Sequence, residues 1–150
     1  MTLPLEIITS SATDTERVGE ELAHTLLSTP SLPRFVALYG DLGVGKTAFV
    51  RGFTRVIAPA ARVKSPTFAL VNQYKGEKTS VFHFDMYRIE DEDDLYSIGF
   101  FDYIDNGICL CEWSENIIES IPSEHIRVEI IKNDPCNTES RQISLSVCGK

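Results

Sequence analysis

The chain has 150 residues, a length that suits one hydrophobic core, and we expect a single domain over residues 1–150. Its formal charge of −8 argues against direct binding of DNA or RNA, because such proteins neutralise phosphates with a basic surface. The sequence has no run of 18 apolar residues and no signal-peptide pattern at its start, so we expect a cytoplasmic protein with no membrane partner.

The N-terminal part predicts a strand and a helix. Residues 5–9 form the candidate strand, and the T-D-T-E sequence at residues 13–16 resembles a capping box that would begin the helix. The helix is predicted to run to about Ser28, before Pro30 and Pro33. Its apolar face consists of Val18, Leu22, Ala23, Leu26 and Leu27.

Residues 40–47 read G-D-L-G-V-G-K-T, the Walker A pattern that wraps backbone amides around nucleotide phosphates. An apolar run at residues 35–39 predicts a buried strand before this loop, and residues 48–53 continue at helical spacing. A plain glycine turn would share the glycines, but the order of strand, loop and helix favours a phosphate loop. Lys46 would then contact the β- and γ-phosphates, and Thr47 would bind Mg²⁺.

The segment after this helix predicts a hairpin and a short acidic helix. Pro66 interrupts regular structure, and two β-rich runs at residues 69–74 and 79–84 flank a short turn. The acidic run at residues 90–94 suits the start of a helix over 91–98, because carboxylates favour the positive end of a helix dipole. A docking patch for a basic partner protein is the alternative for this run.

The C-terminal part predicts three further strands and one helix. Residues 108–111 form a buried strand, and a helix is expected over residues 113–119. Residues 125–131 and 141–147 alternate apolar with polar side chains, which is typical of antiparallel strands with one wet face. We therefore expect an α/β three-layer P-loop domain, whose mixed sheet has a parallel centre and antiparallel edge strands.

A phosphate loop needs a carboxylate to orient Mg²⁺ or its water, normally at the carboxyl end of a neighbouring strand. Glu112 directly follows the apolar run at residues 108–111 and is the better Walker B candidate. Asp85, which ends residues 81–84, is the second candidate. Either carboxylate could instead face solvent or pair with a base, and the sequence does not decide which is nearer the metal.

The segment around Asp85 is unusually polar for a strand end. In an extended conformation His83, Asp85 and Tyr87 would share one face. Arg88 suits a phosphate or a carboxylate, including an ion pair with Asp85. His83 could act as a base, although a lone histidine is more often a structural hydrogen-bonding group.

Four motifs, in this order and in so short a chain, resemble the TsaE (YjeE) family. They are G-D-L-G-V-G-K-T at 40–47, S-P-T-F at 65–68, H-F-D-M-Y-R at 83–88 and C-E-W-S-E at 111–115. The resemblance implies a bacterial P-loop ATPase that serves the threonylcarbamoyl-adenosine modification of tRNA. It also implies TsaB and TsaD as partners, a weak ATP hydrolysis that resets their complex between turnovers, and tRNA contacts made mainly through those partners.

The resemblance also assigns site residues. ATP would be held by the loop residues Asp41, Leu42, Gly43, Val44, Gly45, Lys46 and Thr47, with Mg²⁺ on Thr47 and Glu112. Asp85 would position the attacking water or the water shell of the metal. Lys46, Asp85 and Glu112 are therefore the expected catalytic residues.

Several other positions are weaker candidates. Thr13 and Arg141 are possible nucleotide contacts, which helix capping and a surface charge explain equally well. Trp113 is either a core aromatic or a lid over the site and the partner surface. The remaining switch or interface candidates are Ser65, Thr67, Tyr87 and Arg88, of which Arg88 could be an internal arginine finger unless a partner provides one.

Two other functions stay open from the sequence. A small-molecule kinase would suit Asp85 and Arg88, which could deprotonate and bind a phosphate acceptor, but no arginine-rich lid segment lies between the motifs. A non-catalytic binding module, in which ATP only shapes a protein interface, is the second alternative.

Overall fold

The computed structural model describes residues 1–41, 43–66 and 70–149, and within them the regular elements follow the apolar runs of the sequence. The strands are β1 (Leu5–Thr9), β2 (Phe35–Tyr39), β3 (Val71–Lys75), β4 (Ser80–Asp85), β5 (Ile108–Glu112), β6 (His125–Asp134) and β7 (Asn137–Cys148). The helices are α1 (Ala12–Ser28), α2 (Lys46–Ile57), α3 (Glu92–Ser97), α4 (Phe100–Tyr103) and a 3-10 helix at Ser114–Ser120.

All seven of these strands join one sheet in the order β1-β7-β6-β2-β5-β4-β3. The central strands β6, β2, β5 and β4 are parallel, while β3 at one edge and β7 and β1 at the other pair antiparallel. The predicted mixed sheet with a parallel centre is therefore confirmed. Because β2, β4 and β5 run in the same direction, their carboxyl ends meet at one edge of the sheet, where open α/β folds place their ligands.

Helices α1 and α2 cover one face of the sheet and cross very closely. An added Cβ at Gly52 would lie 1.9 Å from the carbonyl oxygen of Glu16, and one at Gly19 would lie 2.2 Å from that of Phe49. Only glycine lets the two backbones approach so far. Apolar side chains of both helices then pack on strand residues such as Val36 and Leu38 of β2. The helix residues are chiefly Val18, Leu22 and Leu26 of α1 and Phe49 and Phe53 of α2.

The opposite face of the sheet is covered by α3, α4 and the 3-10 helix. Its core is rich in aromatic rings, with the centroids of Phe84 and Phe100 5.3 Å apart in an edge-to-face arrangement. Leu95 of α3 and Ile117 of the 3-10 helix complete the cluster. None of the described helices is long and apolar enough to cross a membrane.

Several boundaries differ from those predicted. The capping box at residues 13–16 is wrong, because Ser11 is the N-cap of α1 and its side chain accepts a hydrogen bond from the backbone of Asp14. The predicted helix over 113–119 is a 3-10 helix from Ser114, and α4 was not predicted at all. The acidic run does begin a helix, since the side chain of Asp91 caps α3.

Candidate nucleotide-binding site

The loop between β2 and α2 has the backbone shape that its glycines permit. Gly43 has φ +81° and Gly45 has φ +108°, both in the left-handed region where a side chain would be strained. Gly45 is the N-cap of α2, which begins at Lys46. The first amides of a helix lack intrahelical partners and carry partial positive charge, so this arrangement suits an anion.

Lys46 is held at the mouth of the loop. Its Nζ donates a hydrogen bond to the backbone carbonyl of Gly40 and lies 3.6 Å from the centroid of the Trp113 ring. Burial lowers the pKa of Lys46 below the usual value for lysine, while the nearby carboxylates, led by Glu115 and Glu112, oppose that shift. A phosphate group would offer this buried ammonium a stronger partner than either the carbonyl or the ring.

Thr47 and Glu112 face each other across the site. The Thr47 hydroxyl lies 3.4 Å from both carboxylate oxygens of Glu112, although 65 residues separate the two. Glu112 is buried at the end of β5, and Asp85 lies beside it in register at the end of β4. The structure therefore brings both candidate acids to the carboxyl ends of neighbouring parallel strands.

Asp85 has a different environment from Glu112. Its carboxylate accepts a hydrogen bond from the backbone N–H of Tyr87, at 3.0 Å. Burial, followed by the charge of Glu112, raises the pKa of Asp85, and the hydrogen bond from Tyr87 opposes this. Asp85 is thus a partly buried acid poised next to the loop.

The donor set fits a magnesium ion that is held mostly by its nucleotide. Within residues 1–41, 43–66 and 70–149 no cluster of three or more His, Cys, Asp or Glu side chains could hold a metal. Mg²⁺ in phosphate-binding sites needs only one or two protein oxygens besides water and substrate phosphates. The Thr47 hydroxyl and the Glu112 carboxylate are oxygen groups of the kind required.

The segment after Glu112 contacts both ends of the glycine loop, at Lys46 and at Gly40. Trp113 has φ +58° and its ring contacts both Lys46 and Tyr87, whose ring centroid is 5.0 Å away. Trp113 also packs at the margin of the aromatic core, as the core role predicts, while its role as a lid stays a prediction. Two residues on, Glu115 accepts a hydrogen bond of 3.0 Å from the backbone N–H of Gly40.

His83 lies next to the carboxylate of Glu112. It is fully buried on β4, and its Nε2 is hydrogen-bonded to Oε2 of Glu112. The structure therefore places it as a hydrogen-bonding group, which is the more frequent role that the sequence indicated. The predicted shared face extends only from His83 to Asp85, because β4 ends there and Tyr87 is exposed beyond it.

A pocket of about 160 Å³ lies between the loop and the start of α1. It is lined by Ser11, Ala12, Thr15, Gly43, Val44, Gly45, Glu139 and Arg141. Arg141 donates to the carbonyl oxygens of Val44, at 2.8 Å, and Gly43, at 3.3 Å, so it braces the loop backbone from β7. Thr13 is exposed and is not among these lining residues.

The other predicted positions are less well connected to the site. Ser65 is exposed, while Leu42, Thr67 and the first residue of the predicted strand 69–74 lie outside the described residues. Arg88 is exposed, and no ion pair joins it to Asp85 or to another acid in the described part of the chain.

Sequence reasoning did not assign a site role to Glu115, Ser11 or Thr15. Glu115 is four residues beyond Cys111 in the C-E-W-S-E motif, so its place in that motif was the available signal. Ser11 and Thr15 carried a weaker signal, since hydroxyl residues are common at any helix start.

Comparison with known proteins identifies the family. A sequence model described as "TsaE: Threonylcarbamoyl adenosine biosynthesis protein TsaE" matches residues 9–143. The tRNA threonylcarbamoyladenosine biosynthesis protein TsaE of Haemophilus influenzae is 40% identical over 116 residues, which cover 76% of this chain and 73% of that protein. The proteins of the same name from Bacillus subtilis and Aquifex aeolicus are 35% and 39% identical, covering 76% and 77% of this chain and 70% and 80% of their own lengths.

A solved structure agrees with these sequence matches. The crystal structure of Bacillus subtilis YdiB superposes with a TM-score of 0.72 at 27% identity, covering 99% of this chain and 88% of that one. The family match spans most of the chain, including the phosphate loop, both strand-end acids and the Trp113 segment. This chain belongs to the TsaE family.

Proposed function

We propose that this protein binds ATP with Mg²⁺ at its phosphate loop, hydrolyses it slowly and thereby serves the threonylcarbamoyl-adenosine modification of tRNA. The observation that carries the proposal is the convergence of Lys46, Thr47 and Glu112 at the N-terminus of α2. The relatives are tRNA threonylcarbamoyladenosine biosynthesis proteins, which supports a role in this modification.

The residues of the chain divide the work of hydrolysis. Lys46 and the loop amides would bind the β- and γ-phosphates and neutralise the charge that spreads over their oxygens. Thr47 and Glu112 would hold Mg²⁺, which when bound neutralises phosphate charge and orients the nucleotide. Asp85 lies next to Glu112 and would orient the attacking water or the water shell of the metal.

Two features support slow turnover by the isolated protein. Lys46 must first exchange its contacts with Gly40 and Trp113 for a phosphate. Arg141 already donates to loop carbonyls, and Arg88 is exposed, so we expect neither side chain to act as an arginine finger without moving. A partner that supplies an arginine would accelerate such a site, because arginine fingers stabilise the transition state strongly.

The partners that fit are TsaB and TsaD, the transferase pair that the family resemblance implies. Hydrolysis would reset their complex between turnovers. The charge of −8 supports a division of labour in which the tRNA is contacted mainly by those partners, in the cytoplasm. The docking patch at residues 90–94 stays a prediction.

Reconstitution of tRNA threonylcarbamoylation with TsaB, TsaD and this protein tests the proposal. Wild type is expected to support many turnovers, whereas Lys46→Ala should support no more than its omission does. Lys78→Ala, which changes an exposed lysine in the β3–β4 turn, is the matched control and should behave as wild type. Equal multiple-turnover rates with and without the protein would reject the proposed function.

A Glu112→Gln variant separates hydrolysis from binding. The cover of Trp113 over Lys46 also suits a module in which ATP only reshapes a protein surface. Glu112→Gln is expected to bind ATP without cleaving it and to halt after the first turnover. Full modification of tRNA by this variant would favour the non-catalytic module.

A further inference from the structure

His83 is a buried polar residue for which the proposed ATP hydrolysis has no direct use. It lies on β4 with no exposed surface, opposite Asn72 on β3 and Leu110 on β5. Its Nε2 is hydrogen-bonded to Oε2 of Glu112, 29 residues away. Its Nδ1 is buried and has no hydrogen-bond partner in the described part of the chain.

The two ring nitrogens differ in a way that indicates the tautomer. A proton on Nδ1 would be a buried donor without an acceptor, which is unfavourable because the N–H would lose its water with no replacement. A proton on Nε2 is directed at a carboxylate oxygen of Glu112, which accepts hydrogen bonds strongly. The surroundings therefore favour the tautomer that carries its proton on Nε2.

We infer that His83 is a positioning residue, whose Nε2–H holds one oxygen of Glu112 so that the carboxylate stays turned toward Thr47. The Thr47 hydroxyl lies 3.4 Å from both oxygens of that carboxylate in this arrangement. A glutamate side chain has three rotatable bonds, and the hydrogen bond from His83 removes part of that freedom. The inference rests on the proposed function, in which Thr47 and Glu112 bind the Mg²⁺ of ATP.

The geometry favours a positioning role over direct catalysis. Nε2 of His83 is hydrogen-bonded to Glu112 and the side chain is fully buried, so the ring does not face the solvent from which an attacking water would come. Hydrogen bonds that orient a metal ligand typically change metal affinity about 10–100-fold when they are lost. Among the described residues, His83 is the one besides Thr47 whose side chain is hydrogen-bonded to the Glu112 carboxylate.

Two variants with the same functional group test which ring nitrogen matters. The side-chain amide of His83→Gln reaches about as far as Nε2 and can still donate to Glu112, whereas that of His83→Asn reaches only as far as Nδ1. The measurement is Mn²⁺ binding, by electron paramagnetic resonance, to each protein with a non-hydrolysable ATP analogue. We expect His83→Asn to weaken Mn²⁺ binding about tenfold or more, and His83→Gln to stay near wild type.

The outcomes separate the two proposals. If wild type binds no Mn²⁺ with the analogue, the proposed function fails. If wild type binds it and the two variants weaken binding equally, or neither weakens it, the positioning role of His83 is rejected. Thermal unfolding of each variant, monitored by circular dichroism, shows whether a loss of Mn²⁺ binding merely follows a loss of the fold.

A measurement on the wild-type protein does not depend on whether a variant folds. Two-bond ¹⁵N–¹H couplings in protein labelled with ¹⁵N-histidine report which nitrogen of each of the three histidines carries the proton. The ring proton of His83, which is fully buried, should exchange slowly with solvent and should be found on Nε2. A proton on Nδ1 of His83 would overturn the inference, because Nε2 would then have no hydrogen to donate to Glu112.

Discussion

The two helix layers that cover opposite faces of the sheet differ in the length of their helices. One layer consists of α1 and α2, and the other of α3, α4 and the 3-10 helix. Helix α1 has 17 residues and α2 has 12, whereas α3 and α4 have 6 and 4. The long pair crosses backbone to backbone at Gly19 and Gly52. The short helices are instead linked by turns and pack through aromatic rings such as Phe100.

This difference separates two tasks within the candidate site. Helix α2 packs closely against α1 and carries Lys46 and Thr47 at its N-terminus. Such support suits groups that must meet phosphates with fixed geometry. The opposite layer contributes Trp113 and Glu115, which cover the phosphate loop from a strained turn and a 3-10 helix. Segments with few long-range supports open at lower free energy, so the cover is the part expected to move.

The largest expected effect is on the helix crossing. Gly52→Ala should lower the free energy of unfolding by about 3 kcal/mol, because the new Cβ would meet the carbonyl of Glu16 at 1.9 Å and the helices must separate. Urea denaturation measures the loss. The neighbouring variant Arg51→Ala, which removes only an exposed ion pair with Glu16, should cost less than about 1 kcal/mol. Equal losses in the two variants would contradict a close crossing.

Hydrogen exchange sharpens the comparison directly. Amides of α3 and α4 should exchange at least about tenfold faster than those of α2, since short helices open locally while α2 opens only with the whole sheet. Mass spectrometry of peptides from the two layers measures both in one sample. If α3 and α2 exchange at the same rate, the two layers unfold as one unit and do not differ in local stability.

A smaller effect is expected at the strand end between the layers. Because the pKa of Asp85 is raised in the folded protein, its charged form is disfavoured there, and stability falls as the pH rises through and above the ordinary value of 3.8. Asp85→Asn should therefore raise the free energy of unfolding near pH 7 by less than about 1 kcal/mol, since the group is partly exposed to water. It should also abolish ATP hydrolysis.

The pH dependence supplies the control for Asp85. The gain in Asp85→Asn should fade as the pH falls below 3.8, where the wild-type carboxyl is protonated in both the folded and unfolded states. Urea midpoints across this range measure it, with the exposed Asp105→Asn as a comparison that should show no such gain. A gain that persists unchanged in acid would assign it to packing and not to charge.

The smallest effect is optical. Trp113 is the single tryptophan of the chain, and its ring lies over Nζ of Lys46. ATP with Mg²⁺ should draw Lys46 toward phosphate and change the tryptophan emission without changing the fold. Titration of wild type against Lys46→Ala measures this, and the variant should show no change. An equal response in both would mean that Trp113 senses something other than Lys46.

The local elements were predictable because they depend on short-range patterns. The apolar run at Phe35–Tyr39, the glycine loop and the amphipathic face of α1 each carry their own periodicity, and β1 and β2 were predicted with their observed bounds. The capping box failed because Ser11 and Thr13 offer the same hydroxyl chemistry two residues apart. The short helix α4 has only four residues, too few to show a helical period.

The sequence by itself determined the glycine loop between β2 and α2, the strand-end acids Asp85 and Glu112, and the mixed character of the sheet, because each depends on residues that are adjacent in the chain. Only the tertiary structure decided that His83 contacts Glu112, that Glu115 accepts from Gly40 and that Arg141 braces Val44 from 97 residues away. Those contacts depend on strand order and register, which place β4 beside β5 and β5 beside β2. Strand pairing is set by long-range packing of the whole sheet, so no local pattern contains it.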